Sequence, residues 1–262
     1  MDKKTFIREY AASHRYFSLK EVVKAVGVSV QVAKNYLLDL KQEGVVFPAG
    51  QGIYSSIKEE FRPQEKRRVA DIRRLIKKHY PDLDFIVWNT LCFQPYYHHQ
   101  QTHHITFVEV EYDGVHSVAD SLSRDYRYVL VDKPGRHAPK GFDITKDPIV
   151  VKALFKGSPR HGHSPAVEKM LVDLFVIKDK FSTMGDADYW ELLESIDDFY
   201  RVNVGDLARY ARRSRNLEAI LSQLIGKIGI NEVTFGTYLE SVSKVTYGKD
   251  GHGKIEWIGP LK

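Results

Sequence analysis

The chain has 262 residues, a formal charge of +5 and a single cysteine, Cys92. Apolar residues make up 43% and aromatics 12%, enough to bury a core, which excludes a disordered polymer. One cysteine excludes an intramolecular disulfide, and the longest apolar runs fall far short of the roughly 20 residues that span a bilayer.

The N-terminal residues MDKKTFIREYAASHRYF contain no run of signal-peptide type, so the expectation is a cytoplasmic protein with no membrane partner. Charge is uneven along the chain. Residues 1–80 carry 17 Lys and Arg against 9 Asp and Glu, and the remainder carry 22 against 25. A basic head on a mildly acidic body suits nucleic-acid contact by the head alone. A solvated surface gives the same count.

The first predicted helix covers Lys3 to Ala12, with Phe6, Ile7 and Tyr10 on one face, and Tyr16 and Phe17 follow as apolar connectors. Ser18 and Glu21 form the S-x-x-E capping box that opens a second helix, whose inner face is Leu19, Val22, Val23 and Val26. Gly27 ends it. Ser29 caps a third helix that runs to about Glu43, with Ala33, Leu37 and Leu40 pointing inward and Gly44 as its stop. Val30, Gln31, Lys34 and Asn35 then fall on the opposite face at its N-terminal end. The segment VVFPA, the turn Gly50-Gln51-Gly52 and the segment IYSS read as a hairpin with Gln51 at its tip.

Helix, Gly turn, helix and hairpin within forty residues predict a winged helix-turn-helix over residues 1–58. In that motif the start of the last helix meets base edges. Gln and Asn can pair with adenine, and Lys can reach guanine or a phosphate. Ser29, Val30, Gln31, Lys34, Asn35 and Gln51 are therefore the candidate DNA contacts. Polar residues facing water are the plainer account.

Residues 59–262 read as a mixed α/β domain with a helical C-terminal half. A charged connector containing Pro63 leads into the helix RVADIRRLIKKHY. Arg67, Arg68, Arg73, Arg74, Lys77 and Lys78 give it a basic face, open to backbone phosphates or simply to water. DFIVWN, ITFVEVEY, RYVLVDK and DPIVVKAL read as strands, TLCFQPYY as a helix broken at Pro95, and SVADSLSRDY as a helix, so the sheet is at least partly parallel.

Three features here could carry chemistry. His98, His99, His103 and His104 have spacings that zinc ligands use, but no nearby thiol other than Cys92, and exposed loop histidines account for them too. Asp84, Glu109 and Glu111 could hold magnesium for phosphodiester cleavage. The E-x-K lysine of restriction-type nucleases is missing from Glu109-Val-Glu111, and both glutamates also fit the outward side of an alternating strand. The loop GSPRHGHSP holds Arg160, His161 and His163 but lacks the P-loop order, and no G-x-S-x-G elbow occurs. No cofactor is expected.

Ser164 followed by Pro165 signals a helix start, and AVEKMLVDLFVIKDKF follows at helical spacing. Glu168, Lys169 and Asp173 interrupt it, as surface residues, as a buried polar network or as an interface. DADYWELLESIDDFY is an acidic amphipathic helix, and Asn203 caps the basic helix VGDLARYARRSR. NLEAILSQLIGKIG has an apolar side, and the tail GKDGHGKIEWIGPLK reads as a short hairpin or an ordered end.

Three stretches together resemble the AbiEi-like antitoxin family of type IV toxin–antitoxin and abortive-infection systems. They are the wing end Gln51-Gly52-Ile53-Tyr54, the pair FIVWNT and FVEVEY, and PAVEKMLVDLF with LARYARRSR. The last pair places the family's antitoxin-domain motif on Glu168, Lys169, Leu171, Val172, Asp173, Tyr210, Ala211 and Arg213. HHQQTHH and Asp186 to Tyr200 do not match the family's pattern.

The resemblance implies a non-enzymatic regulator that binds inverted repeats of double-stranded DNA in its own promoter. It also implies protection against a nucleotidyltransferase-like toxin without a required stable complex. A magnesium-dependent defence nuclease using Asp84, Glu109 and Glu111, and a ligand-sensing regulator with a site in the sheet crevice, are the alternatives.

Overall fold

The computed structural model describes residues 2–97, 101–214, 220, 244–247 and 253–256. They form a mixed α and β protein whose described residues divide into two compact units. One joins Met1–Glu60 to Asp197–Arg209 and also takes the C-terminal hairpin; the other joins Phe61–Ile196 to the stretch from Tyr210. The division does not follow chain order.

The first unit begins with helix α1 (Lys3–Ser13), strand β1 (Tyr16–Ser18), helix α2 (Leu19–Val26) and helix α3 (Val30–Gln42). Strands β2 (Phe47–Gly50) and β3 (Ile53–Ser55) follow, and the sheet order is β1-β3-β2. Local chemistry sets the helix ends. Ser18 Oγ accepts from Glu21 N, and the Glu21 carboxylate returns the bond to Ser18 N at 2.6 Å. Gly27 stops α2 at φ 65°.

Pro48 lies on the edge strand, where its missing N–H leaves no ladder bond unmade. Ile7, Ala11, Phe17, Val22, Ala33, Leu37, Leu40 and Val46 form the core, with Tyr54 stacked on Phe17 at 6.0 Å. Tyr16 and Phe17 are thus a strand rather than connectors. They pair with Ser55 and Tyr54, 39 and 37 residues on, which no local pattern announces.

The segment Asp197–Arg209 joins this unit through buried polar contacts. Tyr16 OH donates to Asp197 Oδ1 at 2.8 Å and accepts from Val202 N at 2.9 Å. Arg201 donates to the Ile57 and Lys58 carbonyls, both at 2.9 Å, and its guanidinium lies 4.9 Å from the Phe47 ring centre.

The second unit holds helix α4 (Arg67–His79), strand β4 (Phe85–Asn89), a 3-10 helix over Thr90–Tyr96 that contains Pro95, and strand β5 (Thr106–Val110). Helix α5 (Val115–Leu122) and strands β6 (Val129–Val131) and β7 (Ile149–Ala153) complete its sheet. The order is β4-β5-β7-β6, with β4 antiparallel to β5 and the other pairs parallel. Val69, Ile72 and Ile76 of α4 and Val118, Ala119 and Leu122 of α5 cluster with Phe85, Val87, Val108, Val110, Ile149 and Val151.

Arg160–His161 and Ser164–Pro165 form a small hairpin, β8 and β9, turned at Gly162 with φ 61°. Ser164 and Pro165 therefore do not start the next helix. Helix α6 runs Val167–Lys180 from the N-cap Ala166. Gly162 takes the left-handed turn, which commits Ser164 and Pro165 to strand pairing first. Helices α7 (Asp186–Phe199) and α8 (Val204–Arg213) follow, and Asn203 Oδ1 accepts from Asp206 N at 3.1 Å. Strands β10 (Lys244–Tyr247) and β11 (Gly253–Glu256) pair antiparallel. The predicted helix NLEAILSQLIGKIG lies outside the described residues apart from Ile220. No described helix is long and apolar enough to cross a membrane.

Candidate functional site

Helix α3 presents the residues singled out in the head. Ser29 Oγ accepts from Val32 N at 3.3 Å and fixes the first turn. Ala33, Leu37 and Leu40 are buried, so the helix can show only its other side. That side carries exposed Gln31, Lys34 and Asn35, together with Val30 at 51% and Leu38 at 54% exposure. Gln31 Nε2 donates to Asn35 Oδ1 at 3.1 Å, one helical turn on, which aligns both amides along one edge.

The first turn of α3 holds no acid, whereas Asp39 and Glu43 near its C-terminal end take up cations of α1. Lys4 Nζ lies 2.7 Å from Glu43 and 3.6 Å from Asp39, and Arg8 also pairs with Glu43. Acidic charge is thus drawn away from the Lys34 end. Gln51 is exposed at the β2–β3 turn.

Arg67 and Arg68 belong to the second unit, in the first turn of α4. Arg67 is almost fully exposed, 3.8 Å from Asp71. Arg68 donates to the Asp147 carbonyl at 2.8 Å. The basic face expected of α4 is interrupted, because Arg73 turns inward and donates to Glu65 and to the Val87 carbonyl, each at 2.7 Å. Burial lowers its pKa, against the Glu65 carboxylate.

A second site lies on the sheet face opposite α4 and α5. Glu109 of β5 is in register with Lys152 of β7, and α6 lays Lys169 and Asp173, one turn apart, over both. Lys169 Nζ is 2.6 Å from Glu109 Oε1 and 2.5 Å from Asp173 Oδ2. Lys152 Nζ lies 3.3 Å from Asp173 and 3.8 Å from Glu109. Trp88 Nε1 donates to Glu109 at 3.0 Å, and Tyr210 OH of α8 donates to Asp173 Oδ1 at 2.9 Å.

Lys169 and Glu109 are fully buried. Burial disfavours the charge on either lysine, but the Asp173 and Glu109 carboxylates outweigh it and raise both pKa values. Burial likewise opposes the Asp173 carboxylate, yet Lys152 and Lys169 hold it down at about 2. Burial, then Asp173, pushes Tyr210 upward, so its phenol stays a donor. Two cations against two anions make a neutral interior quartet.

The structure thus brings together Lys169, Asp173 and Tyr210 of the resemblance motif. It adds Glu109, Lys152 and Trp88, which sequence reasoning did not connect to them. Glu168 is buried beside them in α6, and Arg213 is exposed and donates to the Lys156 carbonyl at 2.6 Å.

The expectation that Glu109 and Glu111 both point outward is corrected for Glu109. β5 is covered on both faces, so alternation there does not separate wet from dry. Glu111 is exposed, and Asp84 pairs with Arg160, whose hydrogen bond holds its pKa below the usual carboxylate range. Glu111 N donates to the Asp84 carbonyl at 3.2 Å, but among the described residues the three carboxylates do not converge as metal ligands.

Among the described residues no three His, Cys, Asp or Glu side chains converge as metal ligands. His98 and His99 lie outside the described residues. His104 is half-buried, 3.5 Å from Thr90 Oγ1, and burial lowers its pKa. Cys92 is buried, and burial pushes its thiol up, away from thiolate chemistry.

Fold and sites define a mixed α and β protein with a capped helix pair in one unit and a buried charge quartet in the other. The chain belongs to the Family of unknown function (DUF6577), whose profile matches residues 32–231. None of the curated proteins matches it. The matched stretch contains the whole quartet and most of α3, and it leaves out α1 and α2.

Proposed function

We propose that the head is a winged helix-turn-helix and that the protein is a DNA-binding regulator of its own promoter. On this reading α3 enters the major groove and the β2–β3 turn is the wing. The observation that carries it is the N-terminal half of α3. Its outer side offers Gln31, Lys34 and Asn35 to solvent, while acidic charge is confined to the other end. Gel shifts with the upstream region of its own gene test this. Selective, salt-sensitive retention of that duplex is expected. Weak retention that ignores sequence contradicts it.

The same proposal makes the second unit the antitoxin part of a type IV system, acting against a nucleotidyltransferase-like toxin without catalysis of its own. Support comes from the resemblance motif, whose Lys169, Asp173 and Tyr210 meet in one network. Growth of cells that co-express the chain with a toxin of that class from the neighbouring gene is the test. Rescue by the full chain is expected, and unrelieved toxicity contradicts the antitoxin reading.

A further inference from the structure

We infer that a basic strip on the second unit, made by Arg67, Arg68, Lys140 and Lys146 around Tyr126 and Tyr128, takes the backbone phosphates of duplex DNA. The inference rests on the DNA-binding reading and extends it to the sheet unit. Contacts between three segments build the strip. The Arg68 guanidinium caps the Tyr126 ring at 5.8 Å and is held by the Asp147 carbonyl. Lys146 Nζ lies 5.1 Å from the Tyr128 ring centre, and Tyr128 OH bonds to the Gly141 carbonyl, next to Lys140.

Asp147 adopts φ 47°, a left-handed conformation rare without glycine, and its carboxylate accepts from His104 N at 3.3 Å. The loop between β6 and β7 is thereby fixed against α4. Charge in this region leans basic. Residues 124–147 hold six Lys and Arg against four Asp, of which Asp125 is exposed. Of those aspartates, Asp132 is paired with Lys180 at 2.6 Å, and Asp143 is bound by the Thr145 hydroxyl at 2.6 Å. Arg67 and Lys140 are exposed, and Lys146 keeps 58% exposure despite Asp143 at 3.4 Å.

Duplex phosphates fit this surface better than single-stranded bases. A stacking platform needs open aromatic faces, and a cation lies over each of these two rings. Lys and Arg spread over separate segments suit a charged backbone and carry no sequence information.

Fluorescence anisotropy on the full chain tests the strip. The probes are the upstream duplex, a scrambled duplex of equal length and a single-stranded RNA, each across a salt series. For Arg67→Gln/Lys140→Gln/Lys146→Gln, affinity for both duplexes should fall by the same factor, about tenfold or more at 0.1 M salt. The slope of log K on log salt should become shallower by about one unit per side chain, and the ratio between the duplexes should hold. Lys140→Glu/Lys146→Glu changes exposed positions and should show the same pattern while circular dichroism reports an intact fold.

Wild-type slopes retained in both variants overturn the inference, as does a loss confined to the RNA. A wild-type chain that treats the two duplexes alike overturns operator reading by α3, while the scrambled-duplex slope still tests the strip. A wild-type chain that binds neither duplex removes both.

Discussion

Lys169 is a fully buried ammonium between two carboxylates, and deleting it leaves the anions to Lys152, Trp88 and Tyr210. Lys169→Ala should cost about 3–5 kcal/mol in urea unfolding, the scale for breaking a buried pair. Glu109→Gln combined with Lys169→Met should cost less than the sum of the single changes, because each leaves the other's partner unsatisfied. A loss under about 1 kcal/mol for Lys169→Ala contradicts this view of the quartet.

Asp197 makes a pH-dependent case. Burial pushes its carboxyl up to about 7, although Arg15 and the Tyr16 hydrogen bond oppose that and Asp198 adds to it. A raised carboxyl binds its proton more tightly folded than unfolded. Its stabilising contribution is therefore full below the unfolded value near 4 and disappears as pH rises to about 7. In Asp197→Asn, Tyr16 can still donate to the side-chain oxygen. The difference in unfolding temperature between variant and wild type should therefore move in the variant's favour from pH 4 to pH 8. A difference that stays constant over that range contradicts the assignment.

The resemblance motif named Lys169, Asp173 and Tyr210. Glu109 escaped because ITFVEVEY looks half-exposed when its strand is covered on both faces, and Lys152 because it stands near the end of the apolar strand IVVKA. A usable signal was present: charges of both signs in runs as apolar as IVVKA and EKMLVD.

At the scale of elements, legibility followed locality. Helices α2 and α3 were readable because their ends are set by residues within four positions, Ser18 with Glu21, then Gly27, then Ser29. Ser18→Ala should cost about 1 kcal/mol through loss of the cap, measured by denaturant midpoint at unchanged m. No shift in midpoint would show that the box carries no weight. Where pairing is distant the reading failed. β1 exists only because residues 53–55 reach it, and β9 displaced the expected start of α6 once Gly162 closed its turn. Arg73 left the basic face of α4 because the Val87 carbonyl offers it a bond that no helical pattern can register.

At the scale of the whole molecule, the charge count located an uneven chain, and the structure shows where those charges are spent. Lys4 and Arg8 are taken up by Glu43, and Arg15 and Arg201 hold the segment Asp197–Arg209 to the first unit. That segment lies nearly 140 residues beyond Glu60 in the chain, so no linker or composition shift could have assigned it. Lys3 of α1 and Lys24 of α2 stay exposed, as do Gln31, Lys34 and Asn35 on the outer face of α3.

The central claim is that this face reads DNA. Anisotropy with the upstream duplex and its scrambled counterpart tests it most directly, using Lys34→Ala/Asn35→Ala against wild type. Wild type should prefer the upstream duplex. The double variant should lose that preference by about 1–3 kcal/mol for each base contact removed while keeping most of its affinity for the scrambled duplex. Equal preference in wild type and variant, or no preference in either, contradicts the account.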